Sequence, residues 1–291
     1  MRLFGKEIRV RKTACGENGA PGGPLAPMVR LYAKVTDACN ARCPFCSNGG
    51  PAGAIDFDLG KFLEVVRAIL GSGAALQRVC LTGGEPSCAE GTALGILQAM
   101  EADDLLDVPV FLSTNGISPA ARRLMRHPRL DRVTMSLHHW DRGRLAELYG
   151  LEGPVPDFGD LGVERRKLTA TCTLVRGYVD SADEARRMMD FALRIGCSRL
   201  GFVSLMPKNA FCREAFVDVD DLRLDEVEHL IPVSRHASPS GCKCRNFLYA
   251  SGDRTLSVYA RGATNPDDSD SILLFDGRCL RQGFGRENAI Y

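Results

Sequence analysis

No apolar run in this chain approaches the roughly 20 residues that a membrane-spanning helix needs. Charge of one sign is also missing: Lys plus Arg number 37 against 36 Asp plus Glu. That balance gives no electrostatic case for nucleic acid or an anionic membrane surface. The first nine residues, Met1-Arg-Leu-Phe-Gly-Lys-Glu-Ile-Arg, break up their apolar members with charges and so lack a signal-peptide core. Tryptophan occurs once, and no internal repeat of fixed short period is evident. Cysteine, by contrast, is plentiful, with 12 in 291 residues. Disulfide scaffolds are small and begin with an export signal, so the expectation is a reducing cytoplasm with thiols committed to metal.

Cys39, Cys43 and Cys46 form the run CNARCPFC, directly after an apolar, strand-like segment over 29–36. Three thiolates within eight residues can grip one metal centre, and soft sulfur selects iron–sulfur clusters, zinc or Cu(I). Structural zinc almost always takes four protein ligands, which argues against it here. A cubane cluster held by three cysteines leaves one iron open to substrate or cofactor.

After a Gly- and Pro-rich arm, strand-like and helix-like segments alternate. Strands are expected at 29–36, 78–82, 110–114, 132–137, 167–175 and 199–205. Amphipathic helices are expected at 58–70 and 182–195, where Phe62, Val65, Val66 and Ile69 recur at helical spacing. Asp58 is a plausible cap and Gly71 a plausible stop, while Pro119 suits a first helical turn. Such alternation predicts a parallel sheet with right-handed crossovers, an α/β fold. Four polar motifs, the triad, Thr82-Gly-Gly-Glu-Pro86, Ser113-Thr-Asn-Gly116 and Ser136-Leu-His-His139, all follow C-terminal strand ends. That is the face where TIM-like barrels place their sites. Beyond Pro207 the alternation fails. Loops are expected at 208–220 and 232–241, a short helix at 222–230, and short strands at 247–250, 255–261 and 271–275, with turns at 251–253 and 265–268.

This series of motifs resembles the radical S-adenosylmethionine (radical SAM) superfamily, whose signature CxxxCxΦC has an aromatic at Φ, here Phe45. The resemblance implies a partial (β/α)6 TIM-like barrel with a small C-terminal α+β auxiliary-cluster cap. The expected division is a 1–28 arm, a 29–207 barrel and a 208–291 cap. It implies that Cys39, Cys43 and Cys46 hold a 4Fe–4S cluster whose open iron SAM chelates. Gly83, Gly84 and Glu85 would take the methionine amino group, and Asn115 or Ser136 the ribose or carboxylate. Thr173-Leu-Val-Arg-Gly177 and Phe202-Val-Ser-Leu-Met-Pro207 look like the GTP 3′,8-cyclase branch. Departures set the chain apart from that enzyme. His138 stands for its acid, Cys242-Lys243-Cys244 for its CxxC, and Ala289-Ile290-Tyr291 for its terminal Gly-Gly.

Cys242, Cys244 and Cys279, with Cys212 as a fourth ligand, are candidates for an auxiliary Fe–S cluster; free thiols or zinc are the alternative. Cys172 and Cys212 are candidate hydrogen-atom donors, and Cys172 equally suits a small core position. His138, His139 and Arg176 end strands on the active rim and could bind SAM or substrate. Adjacent strand residues face opposite ways, so one histidine of the pair is expected inward. Trp140 reads as a lid over a helix start, and Cys15, Cys80, Cys88 and Cys197 as packing or surface residues. The implied activity is hydrogen abstraction from a small metabolite, leading to oxidation, epimerisation or cyclisation. The stretch before the first strand is short for a leader-binding domain, which favours a metabolite over a peptide. A ribosomal-peptide-modifying enzyme is the alternative. An RNA-modifying enzyme and a non-enzymatic metal protein rank behind both. An electron donor such as flavodoxin or ferredoxin is the expected partner.

Overall fold

The computed structural model describes residues 1–10, 28–235, 244–262, 271–283 and 288–291. A hairpin, β1 (Arg2–Leu3) and β2 (Lys6–Glu7), precedes the first barrel strand. Strands and helices then alternate: β3 (Met28–Lys34), α1 (Leu59–Gly71), β4 (Ala75–Thr82), α2 (Glu90–Ala99), β5 (Val110–Thr114), α3 (Pro119–Met125) and β6 (Arg132–Ser136). The series continues through α4 (Arg142–Tyr149), β7 (Leu168–Leu174), α5 (Ala182–Arg194) and β8 (Arg199–Ser204). It closes with α6 (Ala210–Glu214), β9 (Leu230–Arg235), β10 (Arg245–Ser251), β11 (Arg254–Arg261), β12 (Ile272–Phe275) and β13 (Leu280–Gln282).

β3 to β8 lie side by side in chain order, all parallel. β12 adds in parallel to β3, and β11 in parallel to β8. The C-terminal strands therefore extend the barrel sheet at both edges, giving eleven strands in the order β13-β12-β3-β4-β5-β6-β7-β8-β11-β10-β9. Alternate residues of the barrel strands are buried. In β3 the buried residues are Val29, Leu31 and Ala33, alternating with half-buried Arg30, Tyr32 and Lys34. Phe62, Val65, Val66 and Ile69 form the buried stripe of α1, as their spacing predicts. Asp58 caps that helix by accepting from Lys61 N at 2.8 Å. Gly71 still belongs to it, and the left-handed turn falls on Gly73 (φ 77°).

Beyond Pro207 several expectations change. Within 208–220 the chain forms α6, because Asn209 accepts from Cys212 N at 2.8 Å and starts a turn. Instead of a helix over 222–230 there is a single 3₁₀ turn, Leu224–Glu226. Arg223 (φ 46°) and His229 (φ 62°) adopt left-handed backbone that a helix cannot contain. Pro232 lies in a strand, β9, which it tolerates because β9 is an edge. Residues 1–10 are more than an arm: Leu3 and Ile8 are buried, and Phe4 stacks on Tyr291 at 3.9 Å. The Gly/Pro-rich arm over 11–27, Cys15, Cys242, Lys243 and the expected turn at 265–268 lie outside the described residues.

Candidate active site

The chain leaves β3 at the C-terminal rim and runs without helix or strand to Asp58. Cys39, Cys43 and Cys46 sit on this loop, all half-buried. Main-chain bonds hold it from several sides. Arg42 N donates to Tyr149 O at 2.7 Å, and Cys46 N to Cys43 O at 3.1 Å. Asn209 Nδ2 donates to Pro44 O at 2.9 Å, tying α6 to the loop. Burial pushes the Cys43 thiol up to about 12, and the charges of Cys46 and Cys39 push the same way. Burial also raises Cys39. Among the described residues no three His, Cys, Asp or Glu side chains make a ready-formed metal site. The three thiols line one wall of a common cavity instead.

The opposite wall is the turn after β4. Gly84 N donates to Thr36 O at 2.7 Å and Glu85 N to Ala38 O at 2.8 Å. This approach leaves no room for side chains. A Cβ on Gly83 would lie 2.3 Å from Thr36 O, and one on Gly84 2.2 Å from Ala38 O. Gly83 also has φ 143°, which other residues avoid. Glu85 is buried, with its carboxylate saturated. Oε1 accepts from Thr114 Oγ1 at 2.6 Å and Ser87 N at 3.1 Å, and Oε2 from Asn115 N at 2.8 Å. Burial nonetheless holds its pKa above the ordinary value, against those bonds. Glu85 therefore braces the Ser-Thr-Asn-Gly turn. Asn115 passes the link on, donating from Nδ2 to Asn40 Oδ1 at 2.7 Å inside the cysteine loop.

Ser136 and His138 close the third side of the cavity, whose volume is about 300 Å³. His138 Nδ1 accepts from Thr173 N at 3.1 Å, and its ring meets Phe45 edge-on at 5.0 Å. Desolvation lowers its pKa to about 4, so the imidazole is neutral. His139 points elsewhere: its Nδ1 accepts from Asp141 N at 2.9 Å, and its Nε2 lies 3.5 Å from Glu184 on α5. Trp140 donates to the same carboxylate at 2.7 Å, in the first turn of α5, and so covers a helix start.

Other expected residues are not brought to this cavity. Cys172 faces the core, with Sγ 3.6 Å from His138 O, while its neighbour Thr173 lines the cavity. Strand alternation thus denies Cys172 direct contact with a substrate there. Cys212 is buried in an apolar cluster with Leu148, Val175 and Leu205. Arg176 is exposed and donates to Phe216 O at 2.8 Å, holding down the chain after α6. Cys279 lines a separate cavity of about 520 Å³ between β12 and the exit of β3, with its N donating to Asp276 Oδ1 at 2.9 Å. Cys244 is half-buried just before β10. Sequence reasoning missed several lining residues, among them Asn48, Tyr149, Thr173, Ser204 and Lys208. Lys208 directly follows the Met-Pro pair, a position that could have flagged it. Ser204 and Tyr149 carry no sequence signal.

The profile described as "Radical SAM superfamily" matches residues 33–154. Over that span the chain is similar to radical SAM domains. A GTP 3′,8-cyclase of Synechococcus sp. (strain CC9902) is 32% identical over 139 residues, covering 45% of this chain and 38% of that protein. A PqqA peptide cyclase of Methylobacterium sp. (strain 4-46) is 29% identical over 187 residues, covering 60% and 46% respectively. The chain therefore spans less than half the length of these relatives. Among solved structures, Streptococcus suis SuiB bound to its precursor peptide SuiA shares the fold. The TM-score is 0.54 at 17% identity, covering 69% of this chain and 45% of that one.

The cofactors of a radical SAM domain are a 4Fe–4S cluster and S-adenosylmethionine, and the residues present fit them. Three thiols share the cavity wall. The glycine turn is packed so closely that only backbone faces the triad loop. Ser204 Oγ, in a residue only 2% exposed, lines the cavity with no hydrogen-bond partner. A buried, unsatisfied hydroxyl is costly, and a polar ligand in the cavity would satisfy it.

Proposed function

We propose that this chain is a radical SAM enzyme that oxidises, epimerises or cyclises a small metabolite. The observation supporting this most is the convergence of Cys39, Cys43 and Cys46 with the glycine turn, Asn115, Ser136 and His138 on one rim cavity. When bound, the cluster and SAM supply a 5′-deoxyadenosyl radical that takes hydrogen from an unactivated C–H bond. Cys39, Cys43 and Cys46 hold the cluster. Gly83, Gly84 and Glu85 offer main-chain polar groups to the methionine end of SAM, and Asn115 and Ser136 serve its ribose or carboxylate. His138 accepts Thr173 N–H at Nδ1 and so keeps its own proton on Nε2, a neutral donor beside the cavity. Phe45 and Tyr149 wall off water.

In this reading residues 29–207 perform the radical chemistry in a reducing cytoplasm, with a flavodoxin or ferredoxin as electron donor. Residues 208–291 form the auxiliary part, in which Cys242, Cys244 and Cys279 hold a second Fe–S cluster. Topology supports Cys244 and Cys279 sharing a rim. β10 begins beside the end of β11, and Cys279 follows the end of β12, both strands running parallel to the barrel. A peptide substrate is the second reading, favoured by the relatedness to a PqqA peptide cyclase. The test is anaerobic reconstitution with dithionite, followed by chromatography of 5′-deoxyadenosine. SAM should be cleaved, and Cys43→Ala should abolish cleavage. Undiminished cleavage in that variant would overturn the assignment of the triad.

A further inference from the structure

In the proposed function, the wall of the cavity at the ends of β7 and β8 holds neither the cluster nor SAM. Thr173 faces the cavity there, and its hydroxyl makes no hydrogen bond among the described residues. Ser204 adds a buried hydroxyl without a partner. Lys208, exposed at the mouth, lines the same cavity. Its ammonium makes no ion pair or hydrogen bond among the described residues. No other Lys or Arg among the described residues lines that cavity.

The main chain fixes where this lysine stands. Lys208 N donates to Met206 O at 2.7 Å, closing a tight turn over Pro207. Its neighbour Asn209 starts α6 by accepting from Cys212 N at 2.8 Å, and reaches the cysteine loop by donating to Pro44 O at 2.9 Å. The backbone of Lys208 is thereby held between the end of β8 and the triad loop. Arg176, the other cation expected on this rim, is committed elsewhere, to Phe216 O. Glu85 is the one carboxylate among the described residues lining the cavity, and its oxygens already accept from Thr114, Ser87 and Asn115. The cavity mouth therefore carries one positive charge with no carboxylate partner among the described residues.

We propose that Lys208 and the Thr173 hydroxyl anchor a carboxylate of the substrate, so that the metabolite is an organic acid seated on the β7–β8 wall. This rests on the radical SAM reading of the cavity, but its binding test does not need SAM cleavage. An ammonium is a compact point charge with three donors, and a monoanion matches it. A phosphate dianion would bring a second negative charge to a wall whose other groups are neutral, and uncompensated charge is costly to desolvate. Ser204, buried and uncharged, suits a hydroxyl or carbonyl of the same substrate.

The experiment is acetylation of the whole, unvaried, anaerobically reconstituted protein by N-hydroxysuccinimide acetate, with rates read per lysine by peptide mass spectrometry. Propionate, inorganic phosphate and SAM are the probes, the first two with and without SAM, and exposed Lys6 is the internal control. Propionate should slow Lys208 at least threefold relative to Lys6 whether or not SAM is present, and phosphate should slow it less. Slowing by SAM alone, with nothing added by propionate, would give Lys208 to the SAM carboxylate and overturn the proposal. Stronger protection by phosphate would overturn it as well, and so would unchanged rates throughout, the behaviour of a solvated surface lysine. Thr173→Val should at least halve the protection by propionate, and equal protection in that variant would remove Thr173 from the site. Propionate protection in a protein that fails to cleave SAM would sink the functional reading and leave this site standing. SAM cleavage with Lys208 unprotected would do the reverse.

Discussion

Replacing Glu85 by glutamine changes one atom at the joint of the site, and its effect can be worked from three bonds. The carboxylate accepts from Thr114 Oγ1, Ser87 N and Asn115 N. A glutamine amide has one oxygen, so at least one of these donors must face an NH2 group. Each hydrogen bond to a charged group contributes about 1.5–3 kcal/mol, and a buried donor left unmade costs about 1–3 kcal/mol. The expected destabilisation of the apoprotein is therefore about 2–4 kcal/mol. Part of that cost is relieved, because burial raises the carboxyl pKa and the glutamine carries no charge to desolvate. For a protein of this size, about 2–4 °C of Tm is lost per kcal/mol. Thermal unfolding of anaerobic apoprotein, followed by circular dichroism, should show Glu85→Gln melting about 5–10 °C below the parent. Because Asn115 is tied to Asn40 within the cysteine loop, iron uptake should fall in the same variant. A Tm within 1 °C of the parent, with normal iron uptake, would refute the view that Glu85 braces the two motifs.

Two further outcomes follow from the site. His138 titrates near 4 in the fold against an ordinary 6.5. Its neutral form is favoured, so its contribution is present above pH 6.5 and lost as pH falls towards 4. Unfolding at pH 7 and pH 5 should differ more in the parent than in His138→Gln, by on the order of 1–2 kcal/mol, and equal pH slopes would contradict the buried neutral imidazole. If the C-terminal cysteines hold a cluster, a Cys39/Cys43/Cys46→Ala variant should retain iron and sulfide that Cys242→Ala with Cys244→Ala then removes. An iron-free triple variant would leave those cysteines without a cluster.

Local physics made much of the barrel legible. The span Val110–Thr114 fell where the apolar run predicted, and α1 and α5 followed from their 3.6-residue stripes, because one face of each had to be buried. The triad and the glycine turn were readable because thiolate spacing and close backbone approach leave few alternatives in residue type. After Pro207 the strands expected at 247–250, 255–261 and 271–275 were legible as β10, β11 and β12, but α6 and β9 were not. Among the described residues β9 pairs only with β10 at the sheet edge, so with its proline it looked like a loop. Orientation was likewise a tertiary matter. Whether Cys172 or Thr173 faced the cavity depended on the register of β7 against β6 and β8, which a one-residue slip would invert. The sequence by itself determined which residue types could bind a cluster and where strands and helices must alternate. Only the pairing of the strands into one sheet decided that Ser204 is an orphan in the cavity and that Glu85 is a brace.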